Sequence, residues 1–247
     1  MKVYSPKVAI LVLNWNGSKV LDACLKSLSE INYKNQRVIV VDNGSTDSSI
    51  DNAIKINNDI EILRLGKNYG YSSGYNKAFE YLKDRDFECY VLLNNDTTVE
   101  KDFLCLLVKA YQDIGENHIY GPRIMYQKNK SKIWFAGGLV KLPYSIKHRG
   151  IRRNMADEFF NLKEVDYITG CCLLVSKKAI DSLSGFDEKF DMYCEDVDLC
   201  LRAKKQGRKS IYIGKSVVYH EVSSSIGGNF SISKITKKIH SRFKLLK

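Results

Sequence analysis

Proline is scarce in this chain, three among 247 residues. With 11% aromatic and 27% charged residues, that scarcity excludes a disordered, collagen-like or linker-rich polypeptide. No apolar run approaches the length that crosses a bilayer. The N-terminal Met1-Lys2-Val3-Tyr4-Ser5-Pro6-Lys7 has no apolar signal region, so the reading is a cytoplasmic protein. Acid is the other deficit: 28 Asp and Glu stand against 39 Lys and Arg, a formal net charge of +11. A surplus of that sign favours anionic partners, whether nucleic acid, phosphorylated small molecules or anionic membranes. Zinc-finger spacing and the aromatic RNA-binding motif are both missing, so nucleic acid is not an expected partner. What is present is 44% hydrophobic content, enough for one substantial core. The expectation is a single domain followed by a tail.

The seven cysteines, Cys24, Cys89, Cys105, Cys171, Cys172, Cys194 and Cys200, are odd in number and mostly sit in apolar or helical stretches. They read as reduced, buried thiols rather than a metal or disulfide framework. Cys171 and Cys172 are neighbours and would face opposite sides of a strand.

The first half alternates short apolar runs with amphipathic stretches, the pattern of a parallel sheet covered by helices. Strands are expected at 8–13, 38–41, 60–65 and 90–93, and helices at 19–28, 48–56, 73–82 and 103–111. Four βα units make a Rossmann-like half, in which ligands sit beyond the carboxyl ends of the strands. Polar clusters fall at those ends: 14–17, 42–47, 66–74 and 94–98. Turn chemistry and helix capping explain many such residues, Thr46 and Asp47 among them. After about residue 118 the alternation stops, and the segment 134–139 looks hairpin-like. A strand at 171–176, a helix at 196–206 and strands at 210–213 and 217–219 are expected to complete a mixed β region on the acceptor side.

The tail, 231–247, contains no acid. Ile232, Ile235, Ile239, Phe243 and Leu246 form one helical stripe opposite Lys234, Lys237, Lys238 and Lys244. Such a stripe serves either an anionic bilayer or packing against the body of the protein.

Three acidic clusters carry the chemistry. Asp42, in Val-Asp-Asn-Gly-Ser-Thr-Asp, ends a buried strand, and a carboxylate there can accept from a uracil or thymine ring N–H or a ribose hydroxyl. Asp96, in Asn94-Asn95-Asp96, ends another and can hold a divalent cation bridging a diphosphate. Magnesium commonly uses only one or two protein carboxylates. The third cluster, Glu195-Asp196-Val197-Asp198, opens a helix, and Asp198 and Arg202 read as a surface pair four apart. A carboxylate at a helix mouth is expected to stay ionised and to serve as a general base toward an alcohol.

The ordered set Asn14-Trp15-Asn16, Asp42 to Asp47, Asn68-Tyr69-Gly70 with Gly74 and Asn76, Asn94-Asn95-Asp96, Thr169-Gly170, Gly185-Phe186-Asp187-Glu188 and Glu195 to Asp198 resembles glycosyltransferase family two. It is most similar to the rhamnosyltransferase-like members, over roughly residues 7 to 228. The resemblance implies a GT-A fold in the α/β class, with a mostly parallel central sheet flanked by helices and a smaller acceptor-side mixed β region. Residues 1–230 would form that domain, 1–117 binding the nucleotide sugar and 118–230 the acceptor. It implies donor-binding roles for Asn14, Asn16, Asp42, Gly44, Ser45, Asn68, Gly70, Asn76, Asn94, Asn95 and Asp96. Trp134, Gly138, Thr169 and Gly170 fall on the acceptor side. Asp196, with Glu195 beside it, is similar to the family's catalytic base. Asp96 resembles the metal-binding end of the DXD motif, and His220 a late histidine near the metal or diphosphate. The cofactor implied is a divalent cation, Mg2+ or Mn2+. Asn94 departs from the acid that many relatives carry at the first DXD position.

The activity implied is inverting transfer of a sugar by direct displacement. The donor would be dTDP-rhamnose or a UDP-hexose, and the acceptor a hydroxyl of a glycan or lipid-linked glycan. A sugar nucleotidyltransferase is the competing enzyme, but the first loop, Asn14 to Lys19, has one glycine rather than a Gly-rich triphosphate grip. A non-catalytic nucleotide-sugar-binding or membrane-docking module is the third reading. Asp96 and the Glu195-Asp196 pair argue against it.

Overall fold

The computed structural model describes residues 4–56, 59–141, 145–190, 193–222, 241, 244 and 245. Strands and helices alternate through the first half as β1 (Val8–Asn14), α1 (Leu21–Ser29), β2 (Gln36–Asp42), α2 (Ser49–Ile56), β3 (Glu61–Arg64), α3 (Gly70–Tyr81) and β4 (Cys89–Asn94). A short β5 (Thr97–Val99) then precedes α4 (Phe103–Ile114). β1 and β4 read as nearly unbroken apolar runs because helices cover both faces of the sheet, and their residues are buried almost throughout. The second half adds β6 (Ile119–Tyr126), β7 (Ile133–Phe135), β8 (Gly138–Lys141), β9 (Ser145–His148), β10 (Lys163–Val165), β11 (Cys172–Ser176), α5 (Lys177–Leu183), α6 (Glu195–Lys205) and β12 (Ser210–His220).

The main sheet runs β10-β12-β6-β11-β4-β1-β2-β3. β3, β2, β1 and β4 are parallel, whereas β11 lies antiparallel between β4 and β6. The chain lays β2 and β3 on one side of β1 and then crosses to β4 on the other. The switch point therefore falls between β1 and β4, where α/β sheets open a ligand crevice. Asn14 pairs with Asp42 and Leu13 with Asn94, so the polar ends of three strands lie side by side.

Four expectations from the sequence are corrected. β6 has no counterpart among the expected strands, because Gly121 and Pro122 interrupt its apolar run. The sheet accommodates the missing proline N–H with a register shift in β12, between Ile213 opposite Pro122 and Val217. β12 is therefore one bulged strand rather than two. The segment 134–139 is not a hairpin: β7 joins the main sheet beside β6, while β8 pairs with β9 in a separate two-stranded sheet. Asp198 and Arg202 do pair, Nε donating to Oδ2 at 2.7 Å, but Asp198 is buried. Arg202 also donates to the carbonyls of Leu183 and Gly185, tying α6 to the end of α5.

The sheet runs continuously across residues 117 and 118, so both halves share one core. Most of the amphipathic tail expected over 231–247 lies outside the described residues. Ser241 is buried, Leu245 packs against the core, and the Lys244 ammonium donates to the Lys189 carbonyl. No helix among the described residues is long and apolar enough to cross a membrane. All seven cysteines are free thiols, five of them buried.

Candidate active site

A continuous run of hydrogen bonds crosses the carboxyl ends of β2, β1 and β4. Asp42 is buried, and its Oδ1 accepts from the Ser45 N–H at 2.9 Å. Ser45 Oγ in turn accepts from Asn14 Nδ2 at 3.1 Å. Asn14 also donates to Ser49 Oγ at 3.0 Å, and its own Oδ1 accepts from Asn95 Nδ2 at 2.7 Å. Asn14 is fully buried, and its amide joins three loops to one another. Removing it would strand partners at about 1–3 kcal/mol each.

The loop after β1 is held from the same side. Asn16, at φ +50°, accepts from the Thr46 N–H at 2.8 Å, while Asp47 accepts from the N–H groups of Ser18 and Ser49. Asp47 thus serves as tie and cap. The loop so fixed carries Trp15, 47% exposed, directly after the carboxyl end of β1. Gly44, at φ +75°, lets the β2 loop pass against the backbone of Lys67; a Cβ there would lie 2.5 Å from the Lys67 Cα. Asn43 completes the joint, donating to Asn68 Oδ1 and the Gly70 carbonyl and accepting from the Tyr69 N–H. Asn68 is exposed and also accepts from the Gly70 N–H, so it shapes the entry to α3.

Asn76 stands apart from this group. Both ends of its amide are engaged by the segment leading toward α6: it accepts from the Phe186 N–H and donates to the Phe186 carbonyl and to Glu188.

Asp96 follows β4 in a turn to β5, not at a helix start. Its Oδ1 lies 3.2 Å from Nε2 of His220, the last residue of β12, and both residues are buried. The pairing of Thr97 with His220 brings them together from 124 residues apart. The His220 ring meets Trp134 edge to face at 4.5 Å, and Trp134 meets His148 in the same manner at 4.5 Å. His220 Nδ1 is buried without a hydrogen-bond partner among the described residues. An adjacent carboxylate and imidazole fit a divalent cation as a two-ligand half-site. No group of three or more metal-ligating side chains occurs among the described residues, so a cation held here would need further ligands from substrate or water. Asn94 is half-buried and fixed through its backbone: its N–H donates to the Cys171 carbonyl, and its own carbonyl accepts from Thr97 Oγ1.

The third carboxylate reaches the same sheet end through residues 169–171. Gly170 N–H donates to Asp196 Oδ2 at 2.9 Å, and one residue later the Cys171 carbonyl accepts from Asn94 at 3.0 Å. Gly170 is needed at this crossing, since a Cβ would lie 2.3 Å from the Tyr71 hydroxyl, which donates to the Gly170 carbonyl. Cys171 lies within the fields of both Asp96 and Asp196; burial first, and then these neighbours, push its thiol well up, so the wall between them is a neutral thiol.

The helix mouth does not hold the two acids in their ordinary range. Burial, with the Asp196 charge beside it, pushes Glu195 up to about 8. Glu195 Oε2 is buried with no hydrogen-bond partner among the described residues. Burial also raises Asp196, but the N–H groups of Gly170 and Val197 and the Thr169 hydroxyl pull the other way. The two neighbouring acids thus sit in unequal surroundings, Asp196 accepting two backbone N–H bonds and Glu195 Oε2 none among the described residues. Tyr193 and Cys194, just before α6, both adopt positive φ (71° and 69°), a strained entry of the kind that persists when the surroundings enforce it. Of the residues expected on the acceptor side, Trp134 and Thr169 belong to these contacts. Gly138 lies further out, its N–H donating to the Tyr167 carbonyl.

Sequence reasoning passed over Trp15, Asn43 and Arg64. Arg64 ends β3 with its guanidinium 3.8 Å from Asp42. Pairing of β2 with β3, which places Asp42 opposite Arg64, is a nonlocal fact that no local pattern announces.

The chain belongs to glycosyl transferase family 2, whose profile matches residues 9–184. An N-acetylglucosaminyl-diphospho-decaprenol L-rhamnosyltransferase of Mycobacterium tuberculosis is 25% identical over 241 residues, covering 88% of this chain and 77% of its own. A low-salt glycan biosynthesis hexosyltransferase of Haloferax volcanii is 26% identical over 212 residues, covering 85% of this chain and 65% of its own, just under two thirds. Among solved structures, GalNAc-T7 with UDP, GalNAc and Mn2+ superposes with a TM-score of 0.76 at 13% identity, over 98% of this chain and 48% of that one. A mannosyltransferase from Pyrobaculum calidifontis with GDP-Man and Mn2+ gives 0.66 at 16% identity, over 90% and 59%. The fold is GT-A.

Proposed function

We propose that this chain transfers a sugar from a nucleoside diphosphate to a hydroxyl of a glycan or lipid-linked glycan, with inversion at the anomeric carbon. Residues 1–117 hold the donor and 118–230 the acceptor, and the protein works at the cytoplasmic face of the membrane. The observation that carries this reading is the meeting of Asp42, Asp96 and Asp196 at one end of the sheet, linked through Ser45, Asn14 and Asn95 on one side and Gly170 and Cys171 on the other.

Asp42 accepts from the pyrimidine ring, and Trp15 offers a stacking face beside it. Asp96 and His220 would hold a divalent cation, which supplies Lewis-acid neutralisation of charge on a diphosphate. Asp196 takes the proton from the acceptor hydroxyl as that oxygen attacks the sugar opposite the diphosphate. Glu195, pushed up by burial and by the Asp196 charge, keeps its proton and leaves the charge on Asp196. The rhamnosyltransferase relative supports rhamnose as first choice of sugar and the hexosyltransferase another hexose as second; the donors we propose are dTDP-rhamnose and then a UDP-hexose.

A thermal-shift panel of dTDP, UDP, GDP and their sugars, with and without Mn2+ or Mg2+, tests this directly. The true donor at a hundredfold excess over its Kd stabilises by about 2.7 kcal/mol, which raises Tm by roughly 5–10 °C in a domain of this size. No shift with any nucleotide in the presence of metal would sink the proposal.

The chain has two tryptophans, Trp15 on the loop after β1 and Trp134 against His220, which gives a second readout. Nucleotide is expected to quench Trp15 emission, and Mn2+ to quench Trp134 through its contact with His220. Trp15→Phe should lose the first response and keep the second. Unchanged quenching by nucleotide in that variant would place the base elsewhere.

A further inference from the structure

The charge of the chain is concentrated. Between Lys128 and Lys163 nine Lys and Arg stand against two Asp and Glu, so 36 residues carry +7 of the total +11. These residues build the layer beside β6 and β12 that contains β7, the β8–β9 hairpin, the turn at Asp157–Phe159 and the start of β10. The hairpin has two unlike faces. Pairing of Gly138 with His148 and of Val140 with Ile146 defines the inner one, where His148 meets Trp134 and Val140 and Ile146 pack against the core. Alternation then turns Leu139, Lys141 and Lys147 outward.

The layer holds together as a unit. Gly138 exchanges backbone hydrogen bonds with Tyr167 and Asp166 at 3.0 Å each, and Arg149 of the turn after β9 donates to the Glu158 carbonyl at 3.1 Å. Exposed apolar side chains are interleaved with the cations: Leu139 at 47%, Phe160 at 43% and Leu162 at 52%. Among the described residues Lys141, Lys147 and Lys163 have no ion-pair partner, unlike Arg149 and Arg153, which share Glu158. Unpaired cations alternating with large apolar side chains match the headgroup boundary of an anionic bilayer, where apolar groups insert and cations meet phosphate. An acidic protein surface would answer the charges but not the apolar residues between them.

We infer that the outer face of the β8–β9 hairpin, with Phe160, Leu162 and Lys163, docks on an anionic lipid bilayer. Docking by this face does not depend on the transfer chemistry. Its inner face leads through His148 and Trp134 to His220, so the bilayer lies one two-stranded sheet away from the metal pair.

Sedimentation of the full chain with vesicles of phosphatidylcholine and phosphatidylglycerol in equal parts is expected to pellet it, whereas vesicles of phosphatidylcholine alone leave it in solution. Each cation near such a surface contributes about fivefold in affinity, so K141E/K147E/K163E is expected to weaken binding at least about a hundredfold. L139S/F160S is expected to lose the part of the binding that survives raised salt. The basic tail is the competing route, and K237E/K238E/K244E is expected to leave vesicle binding unchanged. Binding lost in the tail variant but kept in K141E/K147E/K163E overturns the proposal, as does equal binding to both kinds of vesicle. Circular dichroism melts identify any variant that fails to fold, and K141Q/K147Q, with a smaller expected loss, then replaces it.

Discussion

Asp196→Asn is expected to lower turnover by about 10²–10⁴-fold while the donor still raises Tm as in the wild type. The size of the loss follows from the role: the carboxylate receives the acceptor proton only as the new bond forms, so its removal is felt in the transition state and not in donor binding. Asparagine keeps the shape and, with its Oδ1 toward Gly170, keeps one of the two backbone N–H contacts. The pH profile supplies an independent sign. Asp196 must be ionised to act, and burial raises its pKa. The wild-type rate should therefore fall with acid at a pH above the ordinary aspartate range. A variant that turned over sugar at the wild-type rate, or an acid limb at the ordinary position, would remove Asp196 from its assigned place.

Asp96→Asn is expected to act on the other substrate. It leaves His220 as the remaining proposed ligand among the described residues and removes the carboxylate that would face the cation. Charge neutralisation at a diphosphate is worth several kcal/mol in the transition state, so the rate should drop at least about a hundredfold. Unlike the Asp196 variant, this protein should also lose the metal-dependent part of its thermal shift. His220→Ala is expected to fall between wild type and Asp96→Asn in the same assay. Metal-dependent stabilisation surviving in Asp96→Asn would place the cation elsewhere.

The places of these two carboxylates in the fold were legible from the sequence because each adjoins a clear local signal. Asp96 follows an apolar run too continuous to be anything but a buried strand, and Asp196 opens an amphipathic helix. The four leading βα units were legible for the same reason. β6 was not, because Gly121 and Pro122 break its run and only the bulged partner strand makes the proline tolerable. α5 was also missed. It is short, and its one local mark is Ser176 capping the Ala179 N–H, a bond that turns also use.

The roles of the asparagines were hidden more deeply. Asn14, Asn16 and Asn76 stand where a ligand-facing amide is expected, yet the described bonds of each run to neighbouring loops. Whether such a side chain points at substrate or at protein depends on how strands far apart in the chain register against one another. Composition and spacing do not carry that information. The same holds for Asp198, whose pairing with Arg202 was legible and whose burial was not.

Asn14 has a consequence for how such an enzyme changes over time. Three segments at the carboxyl end of the sheet share one carboxamide, so none of them can be rebuilt without loading the other two. Shifts in which sugar is handled, or onto what, should accumulate instead where the chain is free to vary one loop at a time, beyond residue 118. Laboratory selection for a new acceptor is expected to return substitutions there, while this three-way knot persists unaltered.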